Sequence, residues 1–206
     1  MRNRRRNPSM TREERGALVA LLAQEVAAYR DDLVVREERK HGTGAEEAYT
    51  YAPNDFSFWD EDALEQRLGV PLLGYGVSRI VVQLPDGNVA KLPWLRPMER
   101  QETGFSGNDV EYDVWRTADA SLRNLLLPVL DYFPASDVLV VPFAEVLDED
   151  NPESMRIVNG LVARLQELES TIADLHTENC GFYTDPATGK KRAVVIDYAQ
   201  STSLYE

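Results

Sequence analysis

The stretch ADLHTEN, residues 173–179, is the most informative part of this chain. It places Asp174 five residues before Asn179, where a helical pattern stops and a strand pattern begins. Such side chains commonly cap backbone groups in turns, and this is the simplest explanation of the pair. The same two residues also offer a carboxylate that can accept a proton and an amide oxygen that can bind a hard metal ion.

A further carboxylate, Asp197, follows the apolar run VVI at residues 194–196, which is typical of a buried strand. A carboxylate at the end of a buried strand is costly unless it is paired or bound to a cation. Magnesium prefers oxygen ligands and would satisfy Asp197 together with Asn179 and phosphate oxygens.

Earlier in the chain, Gly74 and Gly76 lie in LGYGVSR, Lys91 in VAKLPW and Glu111 in NDVEYDVW. Glycine has no Cβ, so its backbone can approach a phosphate closely, although a plain glycine turn explains the pair equally well. Lys91 has apolar neighbours, and its side chain can simply extend to water. Helical spacing turns Glu111 away from Asp109 and Asp113, the acids on either side of it, which singles it out among the three.

The order of these groups resembles that of the protein kinase-like phosphotransferases, a superfamily that includes small-molecule kinases and inactive relatives. The resemblance covers about residues 70–200 and implies ATP and Mg²⁺ as cofactors. It implies that Gly74, Gly76, Lys91 and Glu111 bind the nucleotide, that Asn179 and Asp197 bind the metal, and that Asp174 is catalytic. The implied reaction is phosphate transfer from ATP to a hydroxyl acceptor that the sequence does not identify.

The chain also departs from the family pattern. Arg79 replaces the third glycine of the phosphate loop. Before the catalytic aspartate, Ile172 and Ala173 replace the family's histidine and arginine, and His176 stands where many protein kinases have lysine. After the metal-binding aspartate, Tyr198 and Ala199 replace Phe-Gly. These changes leave an alternative open: the chain is a catalytically inactive kinase-like binding or assembly protein, associated with a virus or a mobile element.

Hydrophobic periodicity and turn residues predict an α+β fold. We expect a protein kinase-like fold with a small antiparallel sheet, an equivalent of the kinase C-helix and an extra long N-terminal helix. The predicted helices cover residues 11–40, 62–68, 107–120 and 154–168. Thr11 and Glu14 form a predicted capping box for the first helix, and Asn108 is the predicted cap of the third. In the fourth, the residues expected to face inward are Ile157, Leu161, Leu165 and Leu168. Predicted strands occupy residues 72–84, 89–94, 126–133, 138–143, 180–183 and 192–196.

The predicted organisation begins with a basic mobile arm at residues 1–10 and an N-terminal helical extension at 11–69. A reduced kinase-like domain follows at 70–206, divided into an N-lobe at 70–143 and a truncated C-lobe at 144–206. Because the sequence ends soon after Asp197, we expect no activation segment and few lower-lobe helices. The long N-terminal helix is expected to pack on the lower lobe in their place.

The composition narrows the function classes. The formal net charge is −13 although MRNRRR at the N-terminus contributes four arginines, so the rest of the chain is strongly acidic. This acidic part repels nucleic acid and anionic membranes. Only the basic arm could contact nucleic acid. Only four of the 22 basic residues are lysines, which fits either a high-salt cytoplasm or high-GC coding. The single cysteine, Cys180, excludes an internal disulfide, and together with the lack of an apolar membrane span or secretory signal it favours a cytoplasmic protein. The partners that the resemblance implies are a nucleotide and an unidentified acceptor or protein partner.

Overall fold

A computed structural model describes residues 9–41, 60–76, 78–94, 107–172 and 174–199 of the 206-residue chain. Most of the predicted basic arm, residues 1–8, lies outside this part. The described helices are α1 Arg12–His41, α2 Glu61–Leu68, α3 Asn108–Thr117, α4 Ala120–Arg123 and α5 Pro152–Glu167, with a 3₁₀ turn at Thr177–Asn179. None of the helices in the described ranges combines the length and apolarity needed to cross a bilayer.

The strands form two sheets, which confirms the predicted α+β class. They are β1 Leu72–Tyr75, β2 Arg79–Gln83, β3 Val89–Pro93, β4 Asp131–Phe133, β5 Val138–Val141, β6 Glu145–Val146, β7 Cys180–Thr184 and β8 Lys191–Val195. The first sheet has the order β1-β2-β3-β5-β4, and the second has the order β6-β7-β8. The strand pairs β1–β2, β2–β3, β6–β7 and β7–β8 are antiparallel.

Residue contacts divide the chain into two units. The first contains the described residues up to 94 together with Phe133–Leu139, and the second contains residues 107–132 and the described residues from 140 onward. The sequence grouped residues 107–132 with the N-lobe, whereas these contacts group them with the second unit.

Helix α1 belongs to the first unit. Its predicted capping box is present, because the N–H of Thr11 donates to Glu14 Oε2 at 2.8 Å and the N–H of Glu14 donates to Thr11 Oγ1 at 3.2 Å. The buried stripe of the helix, which includes Leu22, Val26 and Leu33, packs against β3 and α2. The prediction that α1 packs on the lower lobe is therefore wrong, since β3 and α2 cover its apolar stripe.

An ion pair ties the start of α1 to the turn between β2 and β3. The Arg15 guanidinium lies 2.9 Å from the Asp86 carboxylate, whose side chain is almost fully buried. Burial alone raises the pKa of Asp86, but the bonds from Arg15 and from the N–H of Asn88 outweigh it and hold that pKa below its usual value. Farther along α1, Arg67 of α2 pairs with Glu25 and Asp32.

The second unit has its own apolar core, formed by Ala118, Leu125, Leu126, Leu147, Val158, Leu161, Leu165, Ile172, Cys180, Val195 and Tyr198. Helix α5 begins with Asn151 as its cap and Pro152 in its first turn. Two predictions for these helices are wrong. Leu168 is exposed because it follows the last helical turn, and Asn108 is the first residue of α3, after Gly107 at the cap position, where no side chain caps the helix.

One strand and one pairing of the second unit were not predicted. The short strand β6 pairs with β7, and the segment around Leu126 forms a parallel bridge with Val195 of β8. Arg192 of β8 fastens this segment, because its guanidinium donates to the carbonyls of Asn124 and Leu126. Leu126 thus lies beside the strand that leads to Asp197.

Replacing two glycines by alanine tests the β6–β7 contact. A Cβ on Gly181 would lie 2.6 Å from the carbonyl oxygen of Glu145, so Gly181→Ala must displace β6 and should lower the free energy of unfolding by roughly 1–3 kcal/mol. Gly160, on α5, has no described atom within 4 Å of such a Cβ, and Gly160→Ala should raise that free energy by about 0.5–1 kcal/mol. Urea unfolding measures both. A Gly181→Ala protein as stable as the wild type would contradict the close approach.

Candidate functional site

The loop between α5 and β7 holds Asp174 in an unusual backbone conformation. Its φ is +58°, in the left-handed region that aspartate tolerates better than most residues. The side chain of Asn179 donates from Nδ2 to the backbone carbonyl of Asp174 at 2.8 Å, across the turn. This bond closes the loop and leaves about half of the Asp174 carboxylate exposed.

The pairing of β7 with β8 brings Asp197 to the same place. Cys180 pairs with Val195, so Asn179 lies opposite the residues that follow β8. The carbonyl of Asn179 accepts from the N–H of Ile196 at 2.8 Å and from the N–H of Asp197 at 3.5 Å. Asn179 therefore connects Asp174 to Asp197, and these three predicted site residues lie together.

Glu111 lies in the same unit, on α3. Its side chain is fully buried although it carries a carboxylate. Full burial of a carboxylate is costly, so Glu111 is not an ordinary surface acid of an amphipathic helix. Asp113, by contrast, is exposed and pairs with Arg116 one turn later.

Gly74, Gly76 and Lys91 lie in the first unit. Gly74 is within β1 and Gly76 follows that strand; no described atom lies within 4 Å of a Cβ built on either, so neither is kept small by its described neighbours. Lys91 lies in the middle of β3, opposite Val81, and is 6% exposed. Because Lys91 and Glu111 belong to different units, their pairing stays a prediction.

His176 lies between two carboxylates in the loop. Its Nε2 is 4.0 Å from Asp174 Oδ2, and its Nδ1 is 3.7 Å from Glu178 Oε2. All three side chains are substantially exposed.

Sequence reasoning missed the part played by Tyr198. This residue follows Asp197 directly, is fully buried, and donates from its hydroxyl to the carbonyl of Leu127 at 3.0 Å. A buried tyrosine normally finds a partner for its hydroxyl, so a tyrosine after an apolar strand is a signal that could have been used. Its partner could not be read from the sequence, because Leu127 belongs to a distant segment.

The described residues contain no cluster of three or more His, Cys, Asp or Glu side chains able to hold a metal ion. Asparagine is not one of these four residue types. The amide oxygen of Asn179 and the carboxylate of Asp197 offer two groups with oxygen donors. Magnesium often takes only one or two carboxylates from a protein and completes its shell with water and phosphate oxygens. A Mg²⁺ ion held by these two residues would need further oxygen ligands from water or from a phosphate.

Cys180 lies next to Asn179 but points into the core of the second unit. It is fully buried, and burial raises the pKa of its thiol to about 11. A thiol with such a pKa is neutral at neutral pH, which excludes Cys180 as a nucleophile in the folded protein.

The protection of Cys180 can be measured with Ellman's reagent. At pH 8 about one native thiol in a thousand is ionised, so native protein should react at least about 100-fold more slowly than protein in urea. Because the pKa is raised in the folded state, this thiol costs no stability below its ordinary pKa of 9.0, and stability should decline as the pH rises from there to about 11. Equal reaction rates in native and unfolded protein would show that Cys180 is accessible.

Comparison with known proteins adds no family assignment. No protein-family model matches this chain, and the search of curated proteins returns no match.

Proposed function

We propose that this protein is a kinase-like phosphotransferase that uses ATP and Mg²⁺. The observation that carries the proposal is the double use of Asn179, whose side chain binds the Asp174 carbonyl and whose own carbonyl accepts from the N–H groups of Ile196 and Asp197. These bonds bring together the three residues to which we assign the roles of proton acceptor and metal ligands. Phosphoryl transfer needs both groups at one place.

Asn179 and Asp197 are the proposed metal ligands. The Asn179 amide donates through Nδ2, so its Oδ1 is directed away from that bond and offers a carbonyl oxygen to a cation. The Asp197 carboxylate is half-buried at the end of β8, where a cation offsets the cost of desolvation. Magnesium at this place would neutralise charge on the β- and γ-phosphates.

Asp174 is the proposed proton acceptor. Its carboxylate is open enough for an acceptor hydroxyl to reach, while the Asn179 bond holds its backbone in the left-handed conformation. During transfer the acceptor oxygen bonds to the γ-phosphorus, the bond from that phosphorus to the β–γ bridging oxygen breaks, and the hydroxyl proton passes to Asp174. ADP with Mg²⁺ leaves afterwards.

The remaining predicted residues are assigned to the nucleotide. Gly74 and Gly76 would let backbone N–H groups approach the phosphates, and Lys91 would contact the α- and β-phosphates. Glu111 would orient Lys91. Both side chains are buried, which is unusual for a lysine and a glutamate and sets them apart from ordinary surface residues.

A non-catalytic binding or assembly protein is the second candidate. Arg79 favours it, since this residue replaces the third glycine of the family pattern and is 7% exposed on β2. A buried arginine at this place alters the phosphate loop that the resemblance implies. Such a protein would bind the nucleotide and lack transfer.

Magnesium-dependent binding is tested by thermal unfolding with ATP and with ATP plus Mg²⁺. A ligand at about 100 times its dissociation constant adds about 2.7 kcal/mol, so we expect Mg²⁺ with ATP to raise the Tm by about 5–10 °C. Asp197→Asn should abolish the magnesium-dependent part of this rise, because it removes the charged ligand. Asp150→Asn, which changes an exposed loop aspartate, is the matched control and should behave as the wild type. A full rise in Asp197→Asn would rule out the assigned metal role.

Catalysis is tested by release of labelled phosphate from γ-labelled ATP, with water as the acceptor. Asp174→Asn keeps a residue that tolerates the left-handed backbone but cannot take up the proton, so release should fall by about 100-fold or more while binding of Mg²⁺ and ATP stays within twofold. Binding without release in the wild type would favour the non-catalytic candidate. An unchanged rate in Asp174→Asn would exclude Asp174 as the base.

A further inference from the structure

The backbone of Leu127 holds both ends of the segment that carries Asp197. Its N–H donates to the carbonyl of Val195 at 2.9 Å, and its carbonyl accepts from the hydroxyl of Tyr198 at 3.0 Å. Only Ile196 and Asp197 lie between these two attachment points. Leu127 and Tyr198 are both buried, so water does not compete for either bond.

Different bonds restrain the backbone before and after Asp197, and this backbone directs its side chain. The strand pairing and the bond from Ile196 to Asn179 fix the residues before it. Beyond the strand, the backbone is restrained by the long bond from the N–H of Asp197 to Asn179 and by the bonds that the following residues make. Tyr198 supplies one of these bonds, and the N–H of Ala199 adds a weaker bond to Asp197 Oδ1 at 3.4 Å.

We propose that the Tyr198 hydroxyl is a positioning group that fixes the Asp197 carboxylate in the orientation that binds Mg²⁺. This inference rests on the proposed function, because it assigns a support to one of its metal ligands. Groups that orient a metal ligand commonly change metal affinity by 10- to 100-fold when they are removed. Tyr198 acts through the backbone and touches no reacting atom.

The test titrates Mg²⁺ into protein that contains a fixed concentration of a fluorescent ATP analogue. Tyr198→Phe keeps the buried ring and removes only the hydroxyl that binds Leu127. We expect the Mg²⁺ concentration for half-saturation to rise about tenfold, while the nucleotide signal at saturating Mg²⁺ matches that of the wild type. A merely structural hydroxyl would change thermal stability and leave the half-saturation concentration unaltered.

Tyr29→Phe is the matched control. Tyr29 is also buried and its hydroxyl also binds a backbone carbonyl, that of Asp60 at 3.1 Å, but it lies on α1 in the first unit. This variant loses that bond and also the bond that the hydroxyl accepts from the N–H of Asp60, and it should keep the wild-type dependence on Mg²⁺. An equal rise in both variants would mean that general loosening causes the effect, and would overturn the inference.

The remaining outcomes separate the two proposals. If the wild type binds the analogue with Mg²⁺ and Tyr198→Phe has the same half-saturation concentration, the positioning role is refuted and the proposed function stands. If the wild type binds the analogue in no magnesium-dependent way, both proposals fail.

Discussion

Asn179 uses its side-chain amide and its backbone carbonyl at the same time, and the candidate site depends on this double use. The side-chain amide donates to the carbonyl of Asp174 and closes the loop. The backbone carbonyl accepts from the N–H groups of Ile196 and Asp197, which follow β8. The antiparallel register makes this meeting obligatory, because the residue before Cys180 must lie opposite the residue after Val195. A register slip of one residue would turn the side chains of β8 to the opposite face and move Asp197 away.

The candidate site is supported from a segment that is distant in sequence. Leu126 and Leu127 lie after α3, yet they run beside β8 and hold the strand from which Asp197 emerges. Arg192, on β8, donates hydrogen bonds to the backbone carbonyls of Asn124 and Leu126 in the same segment. The position of Asp197 therefore results from three parts of the second unit, the β7–β8 hairpin, the loop ending at Asn179 and the Leu126 segment.

Local patterns were sufficient for many elements. The capping box of Thr11 and Glu14, the apolar repeat of α1 and the turn between β7 and β8 were all predicted, because each depends on neighbours within a few residues. The strand β6 was missed because two exposed residues carry no periodicity, and it forms only where β7 presents an edge. The capping role of Asn108 was wrong because Gly107 takes the cap position.

The spacing of Asp174 and Asn179, and the place of Asp197 after an apolar strand, followed from the order of residues alone. Sequence could also supply the residue types, since the chemistry of a carboxylate or an amide does not depend on the fold. Tertiary structure alone decided that Asn179 bonds to both neighbours, that Tyr198 reaches Leu127, and that α1 packs on β3 and α2. These contacts join residues far apart in the chain, and they form only when strand register and core packing bring those residues together.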